Sequence, residues 1–218
     1  MAIINGLAAA LTVAAGTMNV PIDSLQGWSE MAFRNIPQNE VTATADGLHI
    51  RVRGSASPLV YRFDEPVAIR RITVTARWNG EVTLPGDAVQ GSEQADDFVL
   101  KVGLVEEGDK RLNWFQRRIA ADWILRLHDL APPGTGIAGI NFYSTTQQRE
   151  QLGTSRAHPL SDLMHEERVT WLREPGTFRI TKTFEAPMRT LGLWLAADGD
   201  NTGSSFDLQI ESIEIAAS

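Results

Sequence analysis

The densest chemistry in this chain lies between Asp198 and Thr202, which reads Asp-Gly-Asp-Asn-Thr. Asp198, Asp200 and Asn201 offer hard oxygen donors at close spacing, the ligand type that holds a structural Ca²⁺ ion. The same residue types close a tight connection with their own side chains. The twelve-residue frame and terminal Glu of an EF-hand are absent. Turn closure is therefore the first expectation for this loop and Ca²⁺ the second. Asp96 and Asp97, with Glu93 nearby, form a second acidic group. With Asp198 and Asp200 they are the candidates for the carboxylate pair that a polysaccharide-active enzyme needs.

Other catalytic signatures are missing. His49, His128, His158 and His165 share no metal-ligand spacing, and neither a Gly-x-Ser-x-Gly elbow nor a phosphate-cradling glycine loop is present. Aromatic and basic residues point to binding instead. Trp194 has the opposite parity to Leu191, Leu193 and Leu195, so its indole stands on the other face of that strand. Such an indole either stacks on the C–H face of a sugar or packs under a neighbouring element. Arg51, Arg53 and Arg77 share the polar face of their strands with His49, Arg62 and Lys101. If those strands are neighbours, the residues form a basic stripe suited to an anionic ligand, or simply the wet face of a sheet.

Strands must position all of these groups. Residues 189–196 alternate with period two, turn formers follow through Gly203, and Phe206, Leu208 and Ile210 resume the alternation. Ile213 and Ile215 continue it out of phase, which requires a bulge near Glu211 and Ser212. Residues 41–45 and 48–53 alternate around Asp46-Gly47, a strong hairpin signal. Further strand patterns cover residues 59–63, 71–78, 98–105, 137–145, 168–172 and 178–184. One segment differs. In residues 111–131 the apolar positions Leu112, Phe115, Ile119, Trp123, Leu127 and Leu130 recur at helical spacing, and Pro132-Pro133-Gly134 ends the run.

With no βαβ alternation, the expected fold is all-β, an antiparallel jelly-roll β-sandwich with one inserted amphipathic helix. The helix should plug an edge or end of the sandwich. The alternatives are a protein partner docking on residues 112–130 or, ranked last, an anionic membrane.

The chain has 218 residues, enough for one sandwich domain without staples. A net charge of −7 argues against nucleic acid as a partner, and the absence of cysteine excludes disulfides and thiolate sites. Residues 1–19 read as a signal peptide or N-terminal extension ahead of a domain over 20–218. The apolar run at 3–16 suits a signal, although no basic residue precedes Arg34. Location is accordingly expected to be periplasmic or secreted, and cytoplasmic if residues 1–16 are structural.

Several blocks taken in order resemble a known group. They are residues 55–63 (SASPLVYRF), 72–78 (ITVTARW), 96–105 (DDFVLKVGLV), 140–146 (INFYSTT), 176–185 (GTFRITKTFE) and the C-terminal strands. They resemble a family of secreted bacterial proteins catalogued as a domain of unknown function. In that family a paired Asp opens a central strand and an Asp-x-Asp-Asn-Thr-Gly loop precedes the last one. The strand order is also similar to galactose-binding-type jelly rolls. The resemblance implies carbohydrate recognition and brings no established activity; the helical insertion departs from it. The combined expectation is a non-catalytic, carbohydrate-binding sandwich, with the polysaccharide-active enzyme and the partner-docking subunit as alternatives.

Overall fold

The computed structural model describes residues 16–158 and 161–218. Residues 1–15, which carry most of the run read as a signal, lie outside the described residues. The first elements are β1 (Thr17–Asn19), β2 (Trp28–Glu30), β3 (Glu40–Thr44), β4 (Gly47–Arg53), β5 (Leu59–Glu81) and β6 (Phe98–Gly108). Two helices follow, α1 (Trp114–Ile119) and α2 (Asp122–Asp129). The chain then forms β7 (Gly136–Thr146), a 3-10 turn, β8 (Ser155–His158), β9 (Ser161–Trp171), β10 (Gly176–Asp198) and β11 (Ser205–Ala217).

Among the described residues the strands join in one sheet with the order β3-β4-β11-β5-β10-β6-β7-β9-β8, β1 lying beside β11 and β2 beside β5. It becomes a sandwich because β5 and β10, each 23 residues long, pass from one layer to the other. The C-terminal half of β5 pairs with β11 and with residues 176–183 of β10, while its N-terminal half pairs with β2 and with residues 190–195. The register slips between Thr183 and Met188, around Pro187, and again between Thr190 and Gly192, opposite the stretch that holds Pro66. Proline has no N–H to give to a ladder, so the pairing loosens where the ribbon must bend.

Period-two alternation predicts separate strands at 59–63 and 71–78, and at 178–184 and 189–196. Each couple is one bent strand. The expected hairpin is present, with Thr44 opposite Gly47, and so is the bulge, where the β11 register skips Glu211. Among the described residues pairing is antiparallel except between β7 and β9, which run parallel because β8 pairs outside β9. Thr17–Asn19, assigned from sequence to the N-terminal extension, forms β1 against residues 214–216.

The main core fills the space between the layers with alternate residues such as Leu48, Ile50, Ile72, Val74, Leu100, Val102, Leu193, Leu195, Phe206 and Leu208. A second cluster lies on the opposite face of the layer that holds β6, β7 and residues 190–198 of β10. It joins Val105, Ile140, Phe142, Leu191 and Trp194 to Leu127 and Leu130. This face is buried because α2 covers it.

The helical insertion differs from expectation in one respect. Ala120 and Ala121 are extended, so the segment forms two short helices and not one. An Asn113–Gln116 capping box starts α1, whose residues are all unburied, and Trp114, Phe115 and Ile119 are exposed. Only α2 reaches the sheet. Tertiary packing of Leu127 and Leu130 outweighs the helix propensity of the two alanines. Among the described residues no helix is long and apolar enough to cross a membrane.

Candidate functional site

Trp194, Ala196 and Asp198 follow one another on the same face of β10 and turn away from the main core. β6 lies beside them, with Trp194 opposite Gly103 and Ala196 opposite Lys101. Next come Phe142, opposite Gly103, and Ser144, opposite Lys101. β9 then contributes Glu166 opposite Phe142, and β8 places Arg156 opposite Glu166. One sheet face thus carries a row that runs from the aromatic Trp194 and Phe142 to the charged Glu166 and Arg156, beside a row that holds Ala196, Lys101 and Ser144. A Cβ on Gly103 would lie 2.7 Å from the Phe142 ring and 2.8 Å from Ile140, so glycine makes room for the aromatic part of the first row.

A cleft of about 320 Å³ opens on this face. Trp123 and Leu127 of α2, Phe33, Phe142, Met164 and Trp194 give it an apolar wall. Asp96, Lys101, His158, Glu166, Asp198, Asp200 and Asn201 give it a polar end. The volume is at the small end for ligand pockets and suits a short oligomer or small molecule. Trp194 is only 5 % exposed and packs in the cluster that contains Leu127 and Leu130, so it both supports α2 and lines the cleft.

Lys101, 7 % exposed, is the centre of the polar end. Its ammonium lies 2.9 Å from Asp198, 3.8 Å from Asp96 and 4.0 Å from Glu166. Burial works against its charge, but the three carboxylates outweigh that and hold its pKa well above the ordinary lysine range. Glu166, 2 % exposed, also meets Arg156 at 2.7 Å and Arg168 at 3.7 Å. Arg156 bridges to Asp96 at 3.1 Å, and His158 stands 3.5 Å from the same carboxylate.

The two aspartates facing Lys101 are driven apart. Burial pushes the Asp198 carboxyl up to about 6, with Asp96 and Asp200 adding to the effect and Lys101 opposing it. Burial would also raise Asp96, yet Lys101, His158 and Arg156 together bring it below the ordinary value. Asp200 is raised by burial and by the neighbouring Asp97.

The loop after β10 is held by its surroundings. Asp97 accepts the backbone N–H groups of Asn201 at 3.1 Å and Thr202 at 2.9 Å, and the Thr202 hydroxyl at 2.5 Å. The Asn201 side chain donates to the Glu93 carbonyl at 3.1 Å, and Gly199 N–H donates to the Ser55 carbonyl. Behind it, Asn39 donates to the Ala197 carbonyl at 2.9 Å. Asp97 therefore caps a turn, as the turn-forming composition of residues 198–203 suggests. Asp96, next to it, faces the cleft. Gln90 fixes the strand entry by donating to the Asp97 carbonyl at 2.7 Å.

The three candidate metal ligands all line the cleft, but Asp198 is committed to Lys101 and the Asn201 amide to the Glu93 carbonyl, which leaves Asp200 without an ion-pair partner among the described residues. A second donor set comes from tertiary structure, since Asp96, His158 and Glu166 bring one donor atom each within 4.8 Å of one another. Two of these three carry the ion pairs to Lys101 and Arg156, so a cation entering here competes with side chains already in position.

Arg51, Arg53 and Arg77 do lie on one face, on β4 and β5 with β11 between them. They do not form a free basic stripe. Arg51 meets Glu40 at 2.9 Å and Asp207 at 3.2 Å, Arg53 meets Asp207 at 3.0 Å, and Arg77 meets Glu211 at 3.2 Å. β11 contributes acids at the positions between the arginines, which single-strand patterns do not reveal. Lys101, grouped with them from sequence, sits in the other layer and is buried. Sequence reasoning also missed Glu166, Arg156 and His158 as site residues. The available signal was a Glu and an Arg at positions 166 and 168, which share the parity of the apolar Met164 in β9.

No family model matches the chain, and no curated protein matches it. Solved structures with a similar strand layout include the xylan-binding module CBM15, at 11 % identity and TM-score 0.40, with 94 % of this chain and 98 % of that one covered. A family 11 carbohydrate-binding module from Clostridium thermocellum, in complex with a β-1,3-1,4-mixed-linked tetrasaccharide, is similar at 7 % identity and TM-score 0.42, covering 93 % and 96 %. The VIP36 exoplasmic/lumenal domain in its Ca²⁺/Man3GlcNAc-bound form follows at 9 % identity and TM-score 0.37, covering 92 % and 87 %. The likeness is one of strand layout alone.

Proposed function

We propose that this sandwich binds a carbohydrate in the cleft between α2 and the sheet. One observation carries the reading: Trp123 and Trp194 line the same cleft as Asp96, Asp198, Asp200 and Asn201. Indole faces take the C–H face of a pyranose, while carboxylates and an amide accept and donate to its hydroxyls. Wall and polar end together match the two-sided character of a sugar ring. Calorimetric titration with soluble neutral oligosaccharides tests it. Binding that Trp123→Ala weakens at least tenfold supports the reading, and no heat with any oligosaccharide overturns it. Trp123 is the informative position because it is only partly buried, so its loss perturbs the core least.

A hydrolytic reading has its own observation. Asp96 and Asp198 meet the same ammonium, yet one is held low and the other is pushed up to about 6. Two carboxyls driven apart are how acid and base roles are divided in a single site. New reducing ends on incubation with a bound oligosaccharide, lost in Asp198→Asn, would favour catalysis over binding.

Export belongs to the same proposal. It rests on the apolar run in residues 3–16 and on the resemblance of the motif order to that of secreted bacterial proteins. N-terminal sequencing of protein from its host tests it, with a start near residues 16–20 expected. Ca²⁺ enters the proposal as a competitor of Lys101 for the carboxylates of the cleft.

A further inference from the structure

The cleft carries an imbalance of charge that the binding of a neutral sugar does not use. Three of its acids are paired: Asp198, Asp96 and Glu166 surround Lys101, and Arg156 and Arg168 reach Glu166 from the side. Asp200 also lines the cleft, but among the described residues it has no cation within ion-pair distance. It is partly buried, and burial and the nearby Asp97 disfavour its charge, with a backbone hydrogen bond and the more distant Lys101 opposing them only in part. A carboxylate in that position gains most from a ligand that brings a positive charge.

We infer that the cleft selects a saccharide bearing a free amine, and that Asp200 is the residue that selects it. The inference rests on the reading of the cleft as a saccharide site and specifies the substrate class. Several features support an ammonium here. Lys101 shows that this polar end already accommodates one, surrounded by carboxylates at 2.9 to 4.0 Å. Trp123, only partly buried, also lines the cleft, and an indole ring attracts a cation. A uronic acid would instead meet the unpaired Asp200 with a like charge, and an N-acetylated amine could offer only a neutral hydrogen bond. A hydrogen bond to a charged group is roughly twice as strong as a neutral one.

The test is calorimetric titration at pH 6 of a β-1,4-linked glucosamine oligosaccharide, its fully N-acetylated counterpart of equal length and an oligogalacturonide. Binding of the amine form at least about tenfold tighter than the acetylated form, with the oligogalacturonide weakest, is the expected result. Asp200→Asn should erase the difference between the first two. The wild-type preference should also shrink as sodium chloride is raised, a readout that needs no variant to fold. Equal or weaker binding of the amine form, while neutral oligosaccharides bind, overturns the inference and leaves the saccharide reading standing. No binding of any oligosaccharide overturns both. Spermidine binding as tightly as the amino-oligosaccharide would overturn the assignment to a saccharide.

Discussion

The ammonium of Lys101 on β6 stands 2.9 Å from a carboxylate oxygen of Asp198 at the end of β10, and both side chains are buried. The pair joins two adjacent strands at the polar end of the cleft and leaves Asp198 facing Asp96 and Asp200. It supports both the architecture and the chemistry of the site.

Removing the cation should therefore be costly. Lys101→Met leaves Asp96, Glu166 and Asp198 without their shared partner, and breaking a buried ion pair in this way costs about 3–5 kcal/mol. Urea unfolding of the variant should show a lower midpoint with an unchanged slope. The same variant tests the cation competition: Ca²⁺ should raise its melting temperature more than that of the wild type, because the carboxylates are then free to bind the ion.

Stability should depend on pH through Asp198. Its folded pKa of about 6 lies above the ordinary value of 3.8, so the folded state holds a proton that the unfolded state releases. The stabilising contribution of this group is complete below the unfolded pKa and is lost as pH rises through the folded one. Between about pH 4 and pH 6.5 the wild type should thus lose stability relative to Asp198→Asn. Asp96, held low, works in the opposite sense and loses its contribution as pH falls below the ordinary value. Thermal melts of both proteins across this range measure the difference, and parallel curves would remove the assignment to Asp198.

Gly103→Ala should damage packing and binding together. The added methyl meets Phe142 at 2.7 Å and Ile140 at 2.8 Å, inside the row that leads to Trp194. Overpacking of this kind costs about 1–3 kcal/mol. The variant should unfold at lower denaturant and bind oligosaccharide more weakly, as the displaced ring narrows the cleft.

Asp97→Ala should affect the loop while leaving Lys101 in position. The carboxylate accepts two backbone N–H groups and one hydroxyl, and hydrogen bonds to a charged group contribute about 1.5–3 kcal/mol each. Faster amide exchange at Asn201 and Thr202, with strands β6 and β10 still protected, is the expected signature.

Period two in residues 189–215 was enough to announce a sandwich, because alternate burial is a property of a strand whatever its partner. The hairpin at Thr44–Gly47, the slip at Glu211 and the end of the helical insertion before Pro132 follow from local stereochemistry and could be read from adjacent residues. So could the parity of Trp194, which places its indole away from Leu193. What lies opposite a residue could not be read in this way. Arg51, Arg53 and Arg77 were legible as one face, but their neutralisation depends on β11 inserting Asp207 and Glu211 between their strands. The break at Ala120 and Ala121 goes against local propensity and reflects the packing of α2 on the sheet. The polar end of the cleft is the clearest case. Asp96, Lys101, His158, Glu166 and Asp198 come from four strands and a loop that are distant in sequence. Each looks locally like a solvated residue or a turn former. Only the pairing of β10 with β6, β6 with β7, β7 with β9 and β9 with β8 gathers them, because charge–charge interactions are set by distance in space, which strand order decides.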